Sequence, residues 1–215
     1  MRYLSLLLGI AMLLASCGHA VPNLPSETCE MPTGVLVFVR DTTGMGSAIA
    51  AATGEYTHVA IVVCTDSGDY LYESLPRRGV LCRPVQEAFY DWYTGMDSTY
   101  PFLQYVSFRT IDVPFDTLRL RQCLAQCVGQ PYDDAFLPDN GRMYCSELVY
   151  ECFYSPDGSR LFESQPMNFR AADGTMPSYW VHHFDSLGIA IPEGVPGTNP
   201  TALYAAPILR DCKYE

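Results

Sequence analysis

Two uninterrupted apolar runs constrain this chain most: Val35-Leu36-Val37-Phe38-Val39, entered through Gly34, and Val59-Ala60-Ile61-Val62-Val63, entered through Thr57-His58. Each is short, β-branched and continuous, which predicts a buried strand. A third strand is expected at Tyr70-Leu71-Tyr72-Glu73-Ser74, after a turn through Asp66, Gly68 and Asp69. Between the first two strands, Ser47 is a good N-cap for a short helix over Ala48–Thr53 that Gly54 closes. Further on, Asp116 caps a helix running through Leu118, Leu120, Leu124 and Val128 to Gly129. A chain of 215 residues that is 48% hydrophobic and 17% charged is long enough and apolar enough for one globular domain with its own core.

The stretch Tyr144-Cys145-Ser146-Glu147-Leu148-Val149-Tyr150 carries chemistry. Leu148, Val149, Cys152 and Phe153 follow near-helical spacing, while Ser146 and Glu147 suit a first turn, so Cys145 falls at a helix N-terminus. The unpaired N–H groups and the positive end of the helix dipole there favour a thiolate. Read alone, the same residue is equally a buried structural cysteine.

An imidazole and a carboxylate stand on the neighbouring strands. Nucleophilic catalysis by a thiol needs a base to hold its proton and a third group to orient that base. His58, at the mouth of the second strand, and Glu73, on the third, supply both types. As alternatives, His182 and His183 lie in Tyr179-Trp180-Val181-His182-His183-Phe184. If that segment is a strand, neighbouring side chains face opposite ways and the two cannot serve one site together. His19 lies near the N-terminus, away from the core pattern. Ahead of the cysteine, Pro131-Tyr132-Asp133-Asp134-Ala135-Phe136 reads as a loop whose acids either receive a substrate ammonium group or shape a turn. The aromatic residues between Phe89 and Phe108 read as core and hairpin packing, with a groove lining as the alternative.

The N-terminus has a different composition. Arg2 precedes an apolar run from Leu4 to Leu14 that is too short to span a bilayer comfortably and ends in small residues, as an export signal does. Leu14-Ala15-Ser16-Cys17 resembles a bacterial lipobox. This implies a signal peptide over residues 1–16, lipid attachment at Cys17, a Pro-containing tether over 17–30 and a catalytic domain over 31–215. Removing the signal peptide deletes one base and no acid from a chain of formal charge −11. So acidic a surface argues against nucleic acid as a partner. The nine cysteines show no dense disulfide framework. Cys123 and Cys127, four apart on a helix, read as two core residues in preference to a bridge or half a metal site.

In order along the chain, the apolar strand after Gly34, Tyr56-Thr57-His58-Val59-Ala60-Ile61-Val62, Tyr72-Glu73, Gly129-Gln130-Pro131-Tyr132-Asp133, Tyr144 to Tyr150, and Ile191-Pro192-Glu193-Gly194-Val195-Pro196-Gly197-Thr198-Asn199-Pro200 together resemble the YiiX-like permuted papain-type amidases, circularly permuted relatives of the NlpC-type cell-wall cysteine peptidases. The resemblance covers about Gly34 to Pro200, with Ala60 where many relatives have glycine. It implies an α+β fold in which an antiparallel sheet or small barrel packs against helices. It also implies the permuted order His58, Glu73, Cys145 for the catalytic groups, with Tyr144, Tyr132 and Asp133 as oxyanion or substrate contacts.

The expected activity is that of a cell-envelope amidase or peptidase that uses no metal or organic cofactor. The expected substrate is a peptidoglycan stem peptide or its fragment, met by a protein held to the membrane through its lipid. Two alternatives stand beside it: a lipid-directed thioesterase or acyltransferase, which a deep apolar tunnel at Cys145 would favour, and a non-catalytic envelope-binding lipoprotein. Oligomeric state is not readable from the residues.

Overall fold

The computed structural model describes residues 31–42, 44–95 and 105–212; the expected signal peptide and tether lie outside them. The first expected strand forms as read, β1 (Val35–Val39), and β2 (His58–Thr65), β3 (Gly68–Leu75) and β4 (Gly79–Pro84) follow as an antiparallel meander. Two later strands, β5 (Val106–Ile111) and β8 (Leu209–Asp211), add to the other side of β1. The six-stranded order is β4-β3-β2-β1-β5-β8. A separate two-stranded piece pairs β6 (Gln165–Pro166) with β7 (Pro196–Gly197). The fold is α+β, with the antiparallel sheet packed against helices.

The continuity of the apolar runs has a direct cause, since both faces of the sheet are covered. Leu36, Phe38, Val59, Ile61 and Val63 pack on one side with α3 (Thr117–Cys127) and α4 (Cys145–Cys152). Val35, Val37, Ala60, Val62 and Leu71 pack on the other with Phe89 of α2 (Val85–Gly95). Successive residues of a strand face opposite sides, so a strand buried on both loses its polar alternation. Each fully buried Val, Leu, Ile or Phe contributes about 1.5–3 kcal/mol. Phe89 is a core residue as expected, but on a helix and not a hairpin. Among the described residues no helix is long and apolar enough to cross a membrane.

A third cluster, around Phe136, Phe169, Trp180 and Phe184, joins α1 (Gly44–Thr53) to α5 (Ser178–Leu187). Here the sequence reading needs correction, because residues 179–184 are helical and not a strand. Trp180 and Phe184 are four apart and both buried, as on one face of a helix. Gly188, left-handed at φ 70, terminates it. Helix α1 starts at Gly44, three residues before the expected cap. Helix α3 has its cap as read, with Asp116 accepting from the Arg119 N–H at 2.9 Å, but Leu118 and Val128 are exposed.

Candidate active site

Helix α4 opens with Cys145, and several contacts fix where it opens. The Ser74 hydroxyl of β3 donates to the Met143 carbonyl at 2.5 Å. The Met143 N–H donates to Pro131 O at 3.0 Å, and Asp133 N–H to Met143 O at 3.3 Å. Glu147 turns back to accept the Tyr144 N–H at 3.3 Å, capping the first turn. Burial pushes the Glu147 carboxyl up to about 8 despite that hydrogen bond, with Asp133, Glu151 and Asp139 adding to the rise. At neutral pH it is largely protonated and leaves the dipole's positive end unopposed beside the thiol.

His58 is the first residue of β2, where the sheet ends. Its place in the alternation puts it on the α2 side with Ala60 and Val62, whereas Cys145 belongs to the opposite cluster. The two side chains come together around the strand end, close enough for Cys145 to act on the imidazole. The imidazole Nε2 donates to Glu73 Oε2 at 2.9 Å, which leaves Nδ1 as the other ring nitrogen available to a partner. Burial alone would lower the His58 pKa, but hydrogen bonds to Cys145 and Glu73 and their negative charge overcome it and raise the group to about 10. The edge of Trp92 packs against the ring at 5.8 Å. The structure thus brings the three expected residues together as Cys145, His58, Glu73.

The residue that sequence reading missed is Arg83 on β4. Glu73 is fully buried, and its second oxygen, Oε1, accepts from Arg83 Nε at 2.9 Å and Nη2 at 2.6 Å. Arg83 is itself 5% exposed and reaches Asp91 of α2 through Nη1. Burial opposes the Glu73 charge, but His58 and Arg83 together hold its carboxyl below the usual range. The strand register contained the signal, since Glu73 pairs with Leu81 and Arg83 stands two residues along on the same face.

The expected accessory residues fare less uniformly. Asp133 is fully buried, and its carboxylate accepts from the Ala135 N–H at 3.0 Å and the Leu137 N–H at 2.8 Å. It shapes the turn, and a substrate ammonium group cannot reach it, which corrects the substrate-contact expectation. Tyr132 is buried, with its hydroxyl on Met45 Sδ at 3.8 Å. The Tyr144 hydroxyl accepts the Thr198 N–H at 3.1 Å, anchoring the Pro/Gly segment. Burial and nearby carboxylate charge put the Tyr144 phenol above its ordinary value. A Cβ on Gly197 would lie 2.6 Å from Met167 Sδ and 2.9 Å from that hydroxyl. His182 is exposed and His183 donates to Asp134 O at 2.7 Å.

Cys145 opens onto a narrow cleft whose exposed walls are almost wholly apolar. Ile49, Phe136, Tyr144, Met167, Phe169 and Trp180 line it, and Thr198-Asn199-Pro200 close one side. The Pro/Gly segment from Ile191 to Pro200 thus borders the cleft through its C-terminal residues. No lining residue carries a charge, and His58 is not among them.

The cysteines pair differently from the sequence reading. Cys123 of α3 is disulfide-bonded to Cys152 of α4, Cα–Cα 5.4 Å, and Cys64 is also disulfide-bonded. Cys127 remains a buried thiol whose pKa burial raises.

Comparison with known proteins agrees with this geometry. Protein YiiX of Escherichia coli K12 is 24% identical over 189 residues, 87% of this chain and 88% of that one. The crystal structure of metalloprotein yiiX from Escherichia coli O157:H7 superposes with a TM-score of 0.67 at 22% identity, covering 86% of this chain and 97% of that chain. The family model described as permuted papain-like amidase enzyme, YaeF/YiiX, C92 family, matches residues 30–212. With an antiparallel sheet that presents a histidine to a helix-opening cysteine, and a family match across nearly all of its described length, the chain belongs to the C92 family of permuted papain-like amidases.

Proposed function

We propose that this protein is a cysteine amidase of the bacterial cell envelope that hydrolyses an amide bond in peptidoglycan stem peptides or their fragments. The observation that carries the amidase reading is the continuous chain Cys145, His58, Glu73, closed by Arg83. In the reaction, the Cys145 thiolate attacks the amide carbonyl, forming a C–S bond, and the Cys145 backbone N–H at the start of α4 supports the oxyanion. Protonated His58 gives its proton to the nitrogen as the C–N bond breaks, and the amine leaves. Water, deprotonated by His58, then cleaves the thioester and restores the thiol. Glu73 fixes the imidazole so that Nδ1 is left for the thiol, and Arg83 keeps Glu73 charged and still.

Envelope location rests on the Leu14-Ala15-Ser16-Cys17 lipobox. The Cys123–Cys152 disulfide agrees with an oxidising compartment. A lipid at Cys17 would place the catalytic domain at the membrane surface, at the end of the 17–30 tether. The word metalloprotein belongs to the Escherichia coli O157:H7 protein. Among the described residues of this chain, the one group of three possible metal ligands is Cys123, Cys127 and Cys152, whose ligand atoms lie within 4.8 Å of one another. Two of them share a disulfide, so the donor set does not fit an ion and no step is routed through one.

The apolar cleft favours a second reading, transfer or hydrolysis of a lipid acyl group through the same thioester. Incubating the full-length protein and its Cys145→Ala variant with defined muropeptides and with N-acylated lipids, and following amine release by mass spectrometry, separates the two. Release from muropeptides that depends on Cys145 is expected; release from the lipids alone would replace the peptide reading, and release from neither would remove the amidase reading.

A further inference from the structure

We propose that the cleft beside Cys145 is an acyl-side specificity pocket for an uncharged apolar residue whose nitrogen is acylated, with the indole N–H of Trp180 reading the carbonyl of that acyl group. The inference rests on the amidase reading and narrows its substrate.

The side of the scissile bond follows from proton transfer. The leaving nitrogen has to reach His58 to be protonated. His58 takes no part in the cleft wall, whereas Tyr144, Cys145 and Ser146 do. A substrate bridging the two positions therefore turns its amine toward His58 and lays its acyl part in the cleft.

The chemistry of the acyl part follows from the walls. Ile49, Phe136, Met167 and Phe169 offer dispersion contacts and no counter-charge, so a carboxylate or ammonium group would be buried there unpaired. An apolar side chain is accepted and an acidic or basic one excluded.

Two buried polar atoms of the lining residues lack a partner, Trp180 Nε1 and Thr198 Oγ1, and the indole is the one that can only donate. Trp180 is 2% exposed, and its Nε1 is buried with no hydrogen-bond acceptor. Buried indole N–H groups normally find a partner, and leaving one unpaired is costly. The ring is held edge-on against Phe169 and tilted against Phe184, four residues along α5, so the orphan is positioned by packing. An indole only donates, and the missing partner must be an acceptor. An N-acyl carbonyl next to an apolar side chain brings such an acceptor into the cleft.

Affinity labels test this without requiring turnover. Three chloromethyl ketones are compared on the full-length protein by mass spectrometry of the Cys145 peptide: those of N-acetyl-leucine, of 4-methylpentanoic acid, which lacks the acylamino group, and of N-acetyl-glutamate. Iodoacetamide, which needs no pocket, is the reference. The expected order is N-acetyl-leucyl, then 4-methylpentanoyl at about tenfold slower, then N-acetyl-glutamyl slowest. Trp180→Phe, which keeps a ring and removes the donor, brings the first two rates together, with iodoacetamide labelling unchanged. Ala52→Trp, which narrows the cleft from α1, slows the leucyl ketone and leaves iodoacetamide labelling unchanged. Equal rates for leucyl and glutamyl ketones, or a Trp180→Phe variant that preserves the leucyl to 4-methylpentanoyl ratio, would overturn the pocket assignment while leaving the amidase reading intact. Failure of iodoacetamide itself to label Cys145 would overturn both.

Discussion

At the residue scale, the site depends on a buried charge that is compensated twice. Glu73 accepts one hydrogen bond from His58 and two from Arg83 with no solvent exposure. Removing one partner of a buried ion pair leaves an uncompensated charge, which costs about 3–5 kcal/mol. Arg83→Met should therefore lower stability by about that amount in urea unfolding and slow the Cys145 reaction, because Glu73 then drifts toward protonation and releases the imidazole. Glu147 makes a separate prediction. Its folded pKa of about 8 lies above the ordinary carboxyl value. A raised value means that its contribution is fully present below the unfolded pKa and is lost as pH rises through 8. Glu147→Gln keeps the acceptor for the Tyr144 N–H and cannot ionise, so its melting temperature should exceed that of the wild type increasingly from about pH 5 to about pH 9. A constant difference across that range would contradict the account.

At the element scale, helix α4 is held from three directions: Met143 is pinned to β3 by Ser74, Tyr144 to the Pro/Gly segment by Thr198, and Cys152 to α3 by its disulfide. That bridge closes a loop with a sequence separation of 29, for which chain entropy gives about 3–4 kcal/mol. Cys152→Ser should lose about 2–4 kcal/mol in denaturant unfolding and keep most of the Cys145 alkylation rate, since the bridge sits at the far end of the helix. Gly79 is another fixed point. It is left-handed at φ 72, and a Cβ there would lie 2.1 Å from the Gln130 carbonyl, so the β3–β4 turn can abut the loop leading to the nucleophile only if this residue is glycine.

Much of this was legible in the sequence, for physical reasons that differ by element. Strands β1 and β2 announced themselves because burial on both faces leaves an unbroken apolar run. Helix α4 showed through its periodicity, and the Cys145, His58, Glu73 set through the order of its motifs. Residues 179–184 misled because four aromatic or β-branched residues in six mimic a strand, and only the i, i+4 burial of Trp180 and Phe184 in the folded molecule settles the period. Arg83 stayed hidden because a charged residue on a strand looks solvent-facing until the register places it over Glu73. The Cys123–Cys152 bridge was hidden because pairing depends on how α3 packs against α4, which sequence spacing does not encode. Asp133 read as both turn former and ligand, and the two N–H groups it accepts decide for the turn.

At the scale of the whole molecule, the sheet is a partition. Helices α3 and α4 cover one face and α2 the other, and the proposed catalytic pair forms where β2 ends and side chains from both faces meet. Cys145 arrives from the α4 side; His58, Glu73 and Arg83 belong to the side of α2. The reacting groups are thus assembled by the sheet as a whole, and the apolar cleft between α1, α5 and the Pro/Gly segment supplies the place for substrate.

The most direct test of the central claim, that His58 activates Cys145, is the rate of iodoacetamide alkylation of Cys145 in the full-length protein. It is resolved by mass spectrometry from the free thiols Cys82, Cys127 and Cys212 and compared with His58→Ala, with Cys145→Ala marking the peptide. At about pH 6 the wild type should react at least tenfold faster than His58→Ala, because an imidazolium beside sulfur favours the reactive thiolate. Superimposable rate profiles for the two proteins would contradict it.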